Sequence, residues 1–120
     1  MYTIEIYKGK SGNSEIMEYL NNLKNKNDKE NRIKMQKIVA YMRLLEEKGL
    51  YLGKPFIKHL SGEIWELRPI RDRILFASFN NNKFILLSVF KKKTRKTPIR
   101  EIEKAKSFLK DYKERVDNNE

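Results

Sequence analysis

Three short stretches of this chain hold residues whose types and spacing could do chemistry. The run Glu63-Ile64-Trp65-Glu66-Leu67-Arg68 alternates like a strand. A period of two sends Trp65 and Leu67 to one face and Ile64, Glu66 and Arg68 to the other, so Glu66 and Arg68 stand about 7 Å apart on one side. Arg71, Asp72 and Arg73 open the next strand-like run, and a third run ends in Lys91-Lys92-Lys93. Cations gathered at one end of a sheet repel one another unless an anion neutralises them, which points to a phosphate site. The plainer alternative is a solvated charge ladder. The segment Lys91-Lys92-Lys93-Thr94-Arg95-Lys96-Thr97-Pro98 then forms a basic loop ahead of a helix start, where exposed N–H groups and the helix dipole favour phosphate. Its alternative is a solubilising loop. Phe90, just before the loop, offers a face for base stacking or a side chain for the core. His59 sits with Lys54 and Lys58 in a polar stretch and reads as a bystander.

The elements that must position these residues follow from periodicity. Residues 2–8 alternate and predict a strand. Asn13 or Ser14 can cap a helix whose apolar stripe is Ile16, Met17, Leu20 and Leu23. Asn27 and Glu30 have the spacing of a capping box for a second helix, which buries Met35, Ile38, Val39, Met42 and Leu45 and stops at Gly49. Residues 50–62, with Gly53, Pro55 and Gly62, read as a loop. Strands are expected over about Glu63–Arg68, Asp72–Phe79 and Phe84–Phe90, the last two joined by Asn80-Asn81-Asn82, since Asn tolerates positive φ. The third strand is nearly all apolar and should be central. Thr97-Pro98 starts a last helix with the stripe Ile99, Ile102, Leu109, Tyr112 and Val116, and residues 117–120 read as a frayed tail. The order β-α-α-β-β-β-α predicts an α+β fold, an antiparallel sheet with helices mainly on one face and the other face free.

Composition sets the outer bounds. The 120 residues are enough for one domain spanning 1–120. Cysteine is absent and histidine occurs once, which argues against disulfides, thiolate metal sites and a histidine-based triad. No apolar run is long enough for a membrane span, and the start Met1-Tyr2-Thr3-Ile4-Glu5 has no apolar block, so a cytoplasmic protein without a membrane partner is expected. The net charge is +11, and the attraction of polyanions makes nucleic acid the first candidate partner. A general drift toward Lys and Asn would give the same total. Five of the eight arginines lie between positions 68 and 100, however, and arginine supplies the planar grip that suits phosphate.

Taken together, Trp65-Glu66-Leu67-Arg68, Arg73-Ile74-Leu75-Phe76, Leu87-Ser88-Val89-Phe90-Lys91-Lys92-Lys93-Thr94 and Lys96-Thr97-Pro98 resemble the RelE/ParE toxin superfamily, nearest its HigB branch with phage-derived members. The resemblance covers most of the chain and its element order. It implies the toxin of a type II toxin–antitoxin pair, an endoribonuclease (mRNA interferase) that cuts mRNA on the translating ribosome and inhibits translation. It implies metal-independent chemistry without a cofactor, in which the ribose 2′-OH attacks the adjacent phosphate. Arg73 matches the family's strand arginine at the scissile phosphate, and Lys92 or Lys93 the basic position after the last strand. Arg68 and Glu66 are their neighbours, with Glu66 a candidate base. Some relatives use a histidine or a late tyrosine for proton transfer; here no histidine follows His59, and Tyr112 fits a helix stripe. Lys54, Arg71, Phe90, Lys91, Arg95 and Lys96 complete the expected RNA contacts. A HigA-like helix-turn-helix antitoxin is the expected protein partner. Two other readings stay open: a ParE-like toxin that binds gyrase without catalysis, and an inactive RNA-binding relative.

Overall fold

The computed structural model describes residues 1–118. Of the expected frayed tail, Asp117 still belongs to the last helix, and Asn119 and Glu120 lie outside the described residues. The chain runs β1 (Thr3–Ile6), α1 (Glu15–Asn25), α2 (Lys29–Lys48), a 3-10 turn (Gly49–Leu52), β2 (Ile57–Ser61), β3 (Ile64–Leu67), β4 (Asp72–Phe79), β5 (Lys83–Lys91) and α3 (Ile99–Asp117). This is the expected α+β order with one added strand. β2 falls where Gly53, Pro55 and Gly62 suggest a loop; Ile57-Lys58-His59-Leu60 reads apolar-polar-polar-apolar, with Ile57 and Leu60 packed on opposite faces, so no period of two marks the strand.

The five strands form one sheet in the order β1-β5-β4-β3-β2. β2 through β5 pair antiparallel, whereas β1 lies parallel to β5, so the sheet is mixed. An apolar central strand needs cover on both edges. β4 takes one edge of β5, and β1 takes the other.

Two helices pack on one face and the third packs on the opposite face. Ile16, Leu23, Ile38 and Leu45 of α1 and α2 meet Leu67, Ile74, Phe76, Phe84 and Leu86. Ala105, Leu109 and Tyr112 of α3 meet Ile64, Leu75, Ala77, Ile85 and Leu87. The expectation of a free sheet face is therefore corrected: β4 and β5 are apolar on both sides and demand two covers. The α3 stripe also shifts. Ile99 is 76% exposed and Val116 is exposed, and Ala105 fills the place between Ile102 and Leu109. Val39 of α2 is exposed as well.

Local signals explain the boundaries. Ser14 caps α1 by accepting from the Met17 amide at 3.2 Å. Asp28, rather than Asn27, caps α2 through the Asn31 amide at 2.9 Å. Asn80 and Asn81 adopt φ of 55° and 60°, giving the tight β4–β5 turn.

Gly49 ends α2 at φ 57° and ψ −143°, and an added Cβ would lie 2.6 Å from ring carbons of Tyr2. Tyr2 in turn donates its amide to the Glu46 carbonyl and packs against Phe84. Gly49→Ala is therefore expected to destabilise the protein by about 2 kcal/mol through backbone strain and collision. The check is the urea unfolding midpoint, which should fall without a change in slope.

One irregularity governs the far end of β5. The register passes from Leu75↔Ser88 to Phe76↔Leu86, leaving Leu87 as an extra residue in β5. A bulge of this kind reverses the face of every later side chain. Phe84 and Leu86 face α1 and α2, yet Ser88, Phe90 and then Lys92 fall on the α3 side.

Candidate functional site

The bulge and the pairing register bring the charged residues together. Glu66 of β3 lies opposite Leu75 of β4, which lies opposite Ser88 of β5, so the three share the α3 side. The next row holds Arg73 and Phe90. Arg68 follows β3, and Lys92 follows β5.

Glu66 is the centre of this arrangement. Its side chain has no accessible surface, and one oxygen, Oε1, faces three cations: Arg68 Nε at 3.5 Å, Arg73 Nη1 at 3.6 Å and Lys92 Nζ at 3.7 Å. Its other oxygen, Oε2, accepts a 2.5 Å hydrogen bond from the Thr97 hydroxyl. Thr97 stands immediately before Pro98, the cap of α3. One carboxylate thus serves three cations, and two positive charges remain uncompensated within the cluster.

The three contacts are close enough for Coulomb attraction and too long for good hydrogen bonds. Accordingly, Arg68 Nε and Arg73 Nε and Nη1 are buried and have no hydrogen-bond partner among the described residues. Buried donors of this kind are rare unless they serve a function. Burial is also the first cause that weakens the hold of Arg73 on its proton; Arg68 adds to the effect and Glu66 opposes it. The Lys92 ammonium is pushed below the usual lysine range, first by burial and then by Arg73, Arg68 and Lys58, against the pull of Glu66. An entering anion would relieve both groups.

These side chains open into a concavity of about 490 Å³ lined by Arg68, Arg71, Arg73, Lys92, Lys93, Thr94 and Arg95. No acidic side chain is part of that lining among the described residues. The basic loop is shaped by the Lys92 amide, which donates to the Arg71 carbonyl, and by the Thr94 hydroxyl, which donates to the Lys96 carbonyl.

Six of the expected site residues therefore converge with Glu66: Arg68, Arg71, Arg73, Lys92, Lys93 and Arg95. Others go elsewhere. Lys91 pairs with Asp72 in register and projects to the α1–α2 side. Lys54 lies in the turn before β2, and Lys96 is exposed outside the lining. Phe90 is half-buried against the α3-side core. His59 faces Trp65 on the opposite side of the sheet from Glu66, and its Nε2–H donates to the Gly62 carbonyl at 2.7 Å. Tyr112 donates to Glu5 at 3.0 Å and belongs to the α3 stripe.

Sequence reasoning missed two members of the site. Lys58 lies opposite Glu66 on β2 and acts on Lys92 through its charge. Its strand carries no period-two pattern, so no local signal places it. Thr97 reads as a helix-start residue; its contact with Glu66 spans 31 positions and leaves no local signal.

No helix among the described residues is long and apolar enough to cross a membrane. No curated protein matches the sequence. A family model does match, over residues 18–110, more than half of the chain, and it is that of phage derived protein Gp49-like (DUF891). With its α+β fold, mixed sheet and basic concavity, the chain belongs to this phage-derived Gp49-like family, a RelE-like toxin family of toxin–antitoxin systems.

Proposed function

We propose that this protein is the HigB-like toxin of a type II pair and that it cleaves mRNA on the translating ribosome. The observation that carries the reading is the set of buried guanidinium donors that lack hydrogen-bond partners among the described residues, held 3.5 and 3.6 Å from Glu66 Oε1 beneath a concavity whose lining among the described residues has no acidic side chain. Preorganised donors aimed at one point stabilise charge that develops there in a transition state.

In the proposed reaction a scissile phosphate enters the concavity and its non-bridging oxygens meet Arg73, Arg68 and Lys92. The ribose 2′ oxygen forms a bond to phosphorus while the bond from phosphorus to the 5′ oxygen breaks. The 2′-OH gives its proton to solvent water, and the 5′ oxygen gains one from Lys92. The products are a 2′,3′-cyclic phosphate and a 5′-hydroxyl end. Burial lowers the hold of Lys92 on its proton, so Lys92 suits delivery to the leaving 5′ oxygen. Glu66 offers no surface to a substrate, and it serves by setting the spacing of the three cations. Lys93, Arg71 and Arg95 hold flanking phosphates. The protein partner in this reading is a HigA-like antitoxin.

The test is induction in growing cells followed by mapping of RNA ends and of DNA breaks, with a parallel reaction on mRNA with and without translating ribosomes. New mRNA ends that require ribosomes are expected. DNA breaks with intact mRNA would instead assign the chain to the gyrase-binding class.

A further inference from the structure

The strand end that carries the basic concavity has a second hollow on its other face. Strand alternation sends Asp72 and Lys91 there, back to back with Arg73 and Lys92. The hollow measures about 320 Å³ and lies between the β4–β5 end and the start of α2, with Tyr19, Asn22, Asn31 and Lys34 contributing from the helices and Lys26 from the connection between them. Among the described residues, Asp72 is the acidic group of its lining, and it is already engaged. The Tyr19 hydroxyl donates to Asp72 Oδ2 at 2.5 Å, and Lys34 Nζ lies 4.0 Å from the same oxygen. Lys34 is equally far from Glu30, which is well exposed and screened by water. The Asn31 amide nitrogen is spent on Asp28, leaving its carbonyl oxygen as an acceptor. Three ammonium groups, two carboxamides and a neutral tyrosine around one engaged carboxylate suit a nucleotide: phosphate for the lysines, base edges for the amides, and a ring face for stacking.

We infer that this hollow is a second subsite for the same RNA strand, holding a nucleotide that flanks the scissile one as the strand crosses the end of β4 and β5. The inference rests on the proposed function for the identity of the strand. RNA is favoured over an isolated small anion because the two hollows share one rim. Arg71-Asp72-Arg73 and Lys91-Lys92 each place neighbouring residues on opposite sides, so one flexible backbone can occupy both.

The test uses the whole chain and two RNA probes carrying 2′-O-methyl groups, which cannot be cut: a hexamer, and a dimer too short to reach both hollows. Binding is measured against salt for the wild type and for Lys26→Ala/Lys34→Ala. For the hexamer, the double variant is expected to bind roughly tenfold more weakly at low salt, with the slope of log affinity against log salt reduced by about 1.4. For the dimer, the two proteins should agree. Lys26→Arg/Lys34→Arg should restore the hexamer slope, which separates lost phosphate contacts from lost fold. An unchanged hexamer slope, or equal losses with hexamer and dimer, overturns the subsite. If the expected hexamer difference appears but a translated mRNA stays uncut in the translating extract, the subsite stands and the nuclease reading fails. Absence of hexamer binding by the wild type removes the subsite.

Discussion

Arg73→Ala is expected to lower the rate of RNA cleavage by roughly 10²–10³-fold, the usual loss when one preorganised donor is taken from a developing oxyanion. Arg73 is the natural position for the largest effect. It sits on β4, between the cations that follow β3 and β5, and its Nε and Nη1 are buried without hydrogen-bond partners among the described residues. Loss of the guanidinium should leave the fold in place. It removes one of three mutually repelling cations, and Glu66 keeps Arg68 and Lys92. Single-turnover cleavage of a ribosome-bound message, with thermal unfolding as the control, measures both halves of the expectation. Arg73→Lys should recover only part of the rate, because an ammonium keeps the charge and loses the planar fork. A variant with alanine that cuts within a few-fold of the wild type would place the chemistry elsewhere.

Removing the carboxylate should act on stability first. Glu66→Ala leaves three cations around a buried space with no counter-charge, and breaking a buried ion pair from one side costs about 3–5 kcal/mol. The partners are only partly buried, with Lys92 at 9% and Arg68 at 27% side-chain exposure, so the lower end of that range is expected. Glu66→Gln keeps the shape and an acceptor for Thr97 and should lose less. Inorganic phosphate should return part of the loss in both variants, since an anion that binds only the folded chain stabilises it by mass action. Urea unfolding with and without phosphate reads the effect. Wild-type stability in Glu66→Ala would mean that the three cations do not depend on this carboxylate.

The sequence shows much of this because charge and period are local properties. The alternation at 63–68 places Glu66 and Arg68 on one side, and the arginine density between 68 and 100 marks the right end of the sheet. The apolar run at 84–90 predicts a central strand, and Phe84 through Ser88 are indeed buried. What stays hidden depends on pairing. Nothing near Thr97 announces Glu66, nothing near β1 announces its parallel place beside β5, and the side taken by α3 follows only once both faces of β4 and β5 are counted. The triplet Lys91-Lys92-Lys93 looks uniform as text, yet the strand divides it: Lys92 meets Glu66, and Lys91 turns toward Tyr19 and Asp72.

That division traces to the extra residue at Leu87. Counting in twos from Phe84 assigns Lys92 to the wrong side; counting back from the loop assigns it correctly. The strand therefore keeps two independent frames, one for the greasy half and one for the working half. In relatives where the insertion is missing, the lysine that meets the glutamate should be sought one position away, and a lysine aligned simply by its neighbours would be credited with a task its backbone forbids.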